Sequence, residues 1–345
     1  MRKIANIVAA ALLPAAGPAL AQPQPRVLEV PATASWQHAA TGMILPPRAA
    51  GLSRGSLVDR TAAEQDVGAD YGGEEGLTTS VYIFQTMLPD AAVWTDRALA
   101  AILLRPQFGL DPAAIPTPVP FRRPGAAAAS GLRASLPLAA GGFTSTSLAV
   151  VPLRGWLVKV RMTSTRLDPA ALDSRMTAFL AALRWPAEAK PAPAAAPVLP
   201  CPDSLAFKKA KIVRDEMADV LMHAITGTVE MQQVEDGKAE AAVYCREPGP
   251  LKPYGVYRPN RSRRGYVIAM GDSGTALRLA PAVSIAMFEG GSAPRKVAMT
   301  LMEHDRTSVL PSFNRLPPPE QAMAVAFSGQ PRETISVTTS PPKGE

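Results

Sequence analysis

A chain of 345 residues is longer than one hydrophobic core usually organises, and points to two domains of about 150 residues each. Its formal charge is +7, but the charge is evenly spread: residues 22–185 hold 15 basic and 12 acidic side chains, and residues 186–345 hold 19 and 17. A nucleic-acid binder concentrates positive charge on one face, so that class is set aside.

The first residues carry Arg2 and Lys3, an apolar run from Ile4 to Leu13, the breakers Pro14 and Gly17, and the small-residue pattern Ala19-Leu20-Ala21. That is the layout of a secretory signal peptide over residues 1–21, cleaved near Ala21. A membrane anchor needs about 20 uninterrupted apolar residues, and this run stops at Pro14. The expectation is a periplasmic or secreted protein with no transmembrane segment in its mature chain.

Residues 26–185 read as the first domain. Gly42 to Pro46, Gly51 to Asp59 and Asp66 to Tyr71 are short strands. Thr79 to Met87 is the strongest, with Val81 and Ile83 on one face and Tyr82 and Phe84 on the other, so both faces are apolar and a central position is expected. Asp90 caps a helix over Ala91 to Leu104. From Arg105 to Gly141 proline, alanine and glycine dominate, which predicts a long surface excursion with at most short helical pieces. Phe143 to Pro152 and Trp156 to Ser164 form a hairpin about Leu153-Arg154-Gly155. Asp168-Pro169 then opens a helix whose stripe is Leu172, Met176, Phe179 and Leu183.

Residues 186–200, KPAPAAAP and its flanks, hold proline and alanine with few branched apolar residues, and predict a flexible joint. The second domain, residues 201–340, begins at Cys201. A helix is expected over Asp215 to Ile225, then strands Thr228 to Gln233 and Ala239 to Cys245. Period-two runs follow: Tyr266/Ile268/Met270, Leu277/Leu279, Val283/Ile285/Met287, Val297/Met299/Leu301, Val325/Phe327 and Ile335/Val337. The whole is α+β: an antiparallel sheet covered by two helices, followed by a mostly β antiparallel meander with one helix.

Two cysteines in an oxidising compartment, Cys201 and Cys245, lack C-x-x-C spacing and predict one disulfide. Closing a 44-residue loop stabilises a domain by about 4 kcal/mol on the chain-entropy model.

The strand and helix order over residues 35–185 resembles the exported PsbP-like domains, which begin on a Trp-led strand and end on a long helix across the sheet. Trp36, His38, Gly42, Pro46, Gly51, Arg54, Asp70, Tyr71 and Thr79 to Tyr82 also resemble the opening of a group of uncharacterised exported bacterial proteins. The likeness implies a sandwich fold and an accessory or assembly role, and carries no catalytic residue across.

Four groups of residues could carry chemistry. Gly271-Asp272-Ser273-Gly274 matches the letters around a serine-protease nucleophile, so a serine hydrolase using Ser273 is the alternative function; the same letters suit a hairpin turn between two strands. His38, His223 and His304 lack ligand spacing, and Met299 and Met302 fall on opposite strand faces, so neither a metal nor a cofactor is expected. The acidic run Asp59, Glu64, Asp66, Asp70, Glu74 and Glu75 lacks the spacing of a calcium loop and reads as turn carboxylates. The most suggestive cluster is Arg258, Arg261, Arg263 and Arg264 beside Tyr254 and Tyr257, which could meet an anionic envelope polymer or an envelope protein. The first expectation is therefore a non-enzymatic accessory or binding factor.

Overall fold

The computed structural model describes residues 24–111, 116–188, 190–213, 242–282, 296–328 and 333–336. The cleavage pattern at residues 1–21, the expected helix over Asp215 to Ile225, the strand over Thr228 to Gln233, most of the strand over Ala239 to Cys245, and the Val283 to Met287 strand lie outside these. The fold is α+β with mostly antiparallel sheets.

The first sheet runs in the spatial order Arg26–Val27, Leu52–Asp59, Asp66–Gly72, Leu77–Gln85, Trp156–Ser164, Ser145–Leu153, Gly131–Pro137 and Val119–Phe121, every neighbour antiparallel. The doubly apolar strand sits at its centre, Val81 opposite Val160 and Ile83 opposite Val158. Its two faces have different covers. Val81, Ile83, Val158 and Val160 pack with Leu172, Met176 and Phe179 of helix α2 (Pro169–Ala182), which Asp168 caps through Ala171 N. Phe84, Leu148, Val150 and Leu157 pack with Trp94, Ala98 and Ile102 of helix α1 (Ala91–Leu103).

The excursion expected between Arg105 and Gly141 departs from that reading. It contributes the strands Val119–Phe121 and Gly131–Pro137 to the first sheet, the second paired with Ser145–Leu153 over six residues. Leu132 and Leu136 are buried, and the sheet edge supplies the pairing that local proline content argued against.

The second sheet is ordered Leu199–Pro200, Tyr244–Arg246, Tyr254–Pro259, Tyr266–Met270, Thr275–Pro281, Val297–Met302, Arg306–Phe313 and Ile212–Val213. Leu199–Pro200 pairs parallel with Cys245 and Arg246; the remaining neighbours are antiparallel, and Glu333–Ser336 adds to Arg306–Phe313. Val325 and Phe327, expected in a strand, lie instead in helix α3 (Pro319–Ser328). Two alternations are too few to overrule the helix-forming residues Glu320 to Ala326 behind a proline start. Cys201 and Cys245 are disulfide-bonded, as expected.

The two sheets share apolar packing. The cluster around α1 includes Tyr257, Val267, Ala269, Ala276 and Met302 of the second sheet, so this helix is covered on both sides. The Pro/Ala segment is held along its length: Glu188 pairs with Arg123, Ala195 N–H donates to Ala129 O, Val198 packs against the shared cluster, and Leu199–Pro200 joins the second sheet. A segment with these four attachments is a strap rather than a free joint.

Candidate functional site

The junction of the two sheets gathers most of the polar residues that the sequence left unexplained. At its centre is the Gly271-Asp272-Ser273-Gly274 turn, which joins Tyr266–Met270 to Thr275–Pro281 as a hairpin. Gly271 and Gly274 have φ of +55° and +102°, the conformations for which glycine is suited. The first sheet and α1 grip this turn by its oxygens. Arg97 Nε donates to Gly271 O at 3.1 Å, and Thr86 Oγ1 donates to Gly274 O at 2.8 Å. Lys159 Nζ donates to both Asp272 O (2.8 Å) and Asp272 Oδ2 (2.7 Å).

Lys159 is buried, with its ammonium 4.7 Å from the centre of the Tyr82 ring. Burial would push the Asp272 carboxyl up, but the Lys159 charge and hydrogen bond override it and hold Asp272 below the usual carboxylate range. The turn's Asp272 is thus a docking group. The Ser273 side chain is exposed and has no hydrogen-bond partner among the described residues. His304 donates Nδ1–H to the Gln85 carbonyl at 3.0 Å, since a carbonyl can only accept. His223 lies outside the described residues.

A second polar contact crosses the junction from α1. The buried Asp96 accepts from Tyr257 OH at 2.6 Å and pairs with Arg246. Burial raises the Asp96 pKa, with Arg246 opposing that rise most strongly among its neighbours. Tyr257 and Asp96 therefore complete each other's hydrogen bonding in a place closed to water.

The arginine and tyrosine cluster divides into two groups. Tyr257 and Arg258 are fully buried. Arg258 Nη2 donates to Asp203 O and Oδ1 at 2.6 and 2.7 Å, while its Nε lies 3.2 Å from both Glu247 Oε2 and Cys201 Sγ. The Arg258 hydrogen bond holds the Asp203 carboxyl low. These two residues secure the second sheet from within and present nothing to a partner. Tyr254 points to the other side, where Tyr254 OH and Lys252 Nζ both donate to Glu320 of α3 at 2.8 and 2.6 Å. Lys252 is the main cause that brings the Glu320 pKa down to about 2.

Arg261, Arg263 and Arg264 remain exposed, on a turn where Asn260 and Arg261 have left-handed φ of 49° and 55°. Arg263 reaches Asp203 Oδ2 at 2.6 Å; among the described residues Arg261 and Arg264 have no acidic partner.

The other sequence candidates have structural work. His38 Nδ1 accepts from Thr41 N, so Nε2 carries the hydrogen and donates to Glu64 O at 2.9 Å. Burial lowers its pKa, and its ring stands edge-on to Trp156 with centroids 4.7 Å apart. The acidic run disperses: Asp59 accepts from Thr61 and Glu64 amides, Asp66 pairs with Arg60, Asp70 accepts from Ser80, and Glu74 and Glu75 pair with Arg175 and Arg166. Met299 lies in the far cluster of the second sheet and Met302 in the shared one, on opposite faces.

The residues that the sequence reading missed are Lys159, Asp96, Arg97 and Thr86. A signal was present for the first. Lys159 and Arg161 occupy alternate positions in the otherwise apolar run Trp156 to Met162, which marks a face that is neither plain core nor plain surface.

Among the described residues no helix is long and apolar enough to cross a membrane. The chain matches no protein-family model, no curated protein and no solved structure.

Proposed function

We propose that this chain is an exported, non-enzymatic accessory or binding factor of a bacterial cell envelope, meeting an anionic envelope polymer or acidic envelope protein through the Arg261-Ser262-Arg263-Arg264 turn. The observation that carries this reading is the exposure of three arginines within four residues, two of them without an acidic partner among the described residues. Guanidinium groups suit this role because they hold carboxylate or phosphate through two parallel hydrogen bonds. The disulfide, the signal-like N-terminal pattern and the resemblance of residues 35–185 to PsbP-like accessory domains support the placement outside the cytoplasm. Burial of Tyr257 and Arg258 narrows the binding group to the turn itself.

The test is retention of the oxidised protein on immobilised polyglutamate and on phosphatidylglycerol vesicles across a salt series. The parent should be retained at low salt and released as ionic strength rises. The triple variant Arg261→Gln/Arg263→Gln/Arg264→Gln should lose retention on both, while Ser273→Ala should leave it unchanged. Retention of the triple variant equal to the parent refutes the reading, and so does an ester or peptide hydrolysis that Ser273→Ala abolishes.

A further inference from the structure

A second cationic site lies at the junction, apart from the arginine turn. Phe108 ends the short turn Pro106–Phe108 that follows α1, where Gly109 takes a left-handed φ of 59°. Its buried ring stands edge-on to Phe143, with centroids 5.4 Å apart. Two guanidiniums approach that one ring: Arg161 Cζ is 5.2 Å and Arg105 Cζ 5.8 Å from its centroid. Arg161 projects from the strand Trp156–Ser164, in register with Ser80 and Leu148, and is half-buried; Arg105 is exposed.

Charge accounting isolates this pair. Four cations stand against the Tyr82 and Phe108 rings here, Arg60, Lys159, Arg105 and Arg161. Arg60 is answered by Asp66 and Lys159 by Asp272, at 3.3 and 2.7 Å. The Asp272 carboxylate, whose field reaches both arginines, is already spent on Lys159. Among the described residues, neither Arg105 nor Arg161 has an acidic partner, and Arg161 Nε is buried with no hydrogen-bond partner at all. Burial, then repulsion from Arg105, pushes the Arg161 pKa down to about 10. Two like charges held against one ring, answered only by the field of an Asp272 carboxylate that is already paired with Lys159, form an arrangement that an anion would complete.

We propose that Arg105 and Arg161, braced on Phe108, form a binding site for the phosphate group of a soluble phosphate monoester. The surplus of two positive charges favours a dianion over a single carboxylate, and each planar guanidinium can present two donors to phosphate oxygens. The ring holds both side chains in place before the ligand arrives, so that less of their freedom is lost on binding. With Arg105 exposed and Arg161 half-buried beside it, the pair suits a small soluble ester that can reach both guanidiniums better than a membrane surface.

Titration calorimetry of the full oxidised chain with inorganic phosphate and with glycerol phosphate, at constant ionic strength with acetate as control, tests this. Saturable binding of both phosphates, with at most weak heat from acetate, is expected. Arg105→Gln and Arg161→Gln should each weaken binding by about tenfold or more, the loss of a charge-assisted contact. The triple variant of the Arg261–Arg264 turn should bind phosphate like the parent, which separates this site from that one. Absence of saturable phosphate binding to the parent overturns the proposal, as does parent-like binding by Arg105→Gln, an exposed position whose substitution leaves the fold intact. Binding to phosphatidic acid vesicles without binding of glycerol phosphate overturns it too.

Discussion

Asp90 closes the first turn of α1 by accepting the Val93 N–H at 2.8 Å, yet it does so in a place where a carboxylate is poorly solvated. Burial raises its pKa from 3.8 to about 6, more than its backbone hydrogen bonds can offset. The sign of the resulting pH dependence follows. A folded-state pKa above the unfolded one contributes stability that is full below the unfolded value and is lost as pH rises through about 6. Asp90→Asn keeps an acceptor of equal capping quality and removes the proton equilibrium. Urea unfolding of parent and variant between pH 4 and 7.5 should therefore show a difference that grows with pH in favour of the variant, by about 1 to 3 kcal/mol at the upper end. A difference that is flat with pH would show that the cap is better solvated than its surroundings imply. Asp66 and Asp96 are also raised by burial, and because both chains carry them, their effect cancels in the comparison.

The hairpin turn at residues 271–274 shows how an element can mimic a catalytic motif for mechanical reasons. A Cβ on Gly274 would lie 3.0 Å from Gln85 O and 3.2 Å from Thr86 Cβ, across the junction, at a φ that L residues avoid. A Cβ on Gly271 would meet nothing within 4 Å, although its φ is also positive. Gly274→Ala should thus cost about 2 kcal/mol or more, Gly271→Ala about 1 kcal/mol, and Ser273→Ala within about 0.5 kcal/mol of nothing. Denaturant midpoints on the three variants test this order, and a Ser273→Ala cost matching Gly274→Ala would contradict it. At this scale the sequence was legible wherever periodicity persisted over five residues or more, as in Thr79 to Met87 and in the α2 stripe. It was illegible at Gly131–Pro137, whose partner is supplied from residues 145–150, and at Val325 and Phe327, where helix propensity overrode a two-step alternation. The arginine cluster was legible as composition only. Which of its members turn inward depends on strand phase and on Asp203, Glu247 and Asp96, acids up to 161 residues away in the chain.

The Pro/Ala segment predicts two bodies, and among the described residues one large sheet lies on each side of it in the chain. What the sequence could not reveal is that α1, read as a cover for the first sheet, has apolar side chains enough for both. Trp94 and Ile102 share one cluster with Phe84 and Leu157 on one side and with Tyr257, Val267 and Ala276 on the other. Lys159 with Asp272 and Asp96 with Arg246 and Tyr257 then cross the same seam, and breaking it would leave buried charges without partners. Opening the seam exposes both an apolar helix face and those charges, so neither sheet is expected to survive without the other. Scanning calorimetry of the oxidised chain should show a single transition with matching calorimetric and van't Hoff enthalpies. Reducing the Cys201–Cys245 bond relaxes a 44-residue loop of the unfolded chain, worth about 4 kcal/mol on the chain-entropy model, and should move that one transition down as a unit, taking the first sheet with it. Two resolved transitions, with only the lower one sensitive to reductant, would mean that the shared helix belongs to the first sheet alone and that the second merely rests against it.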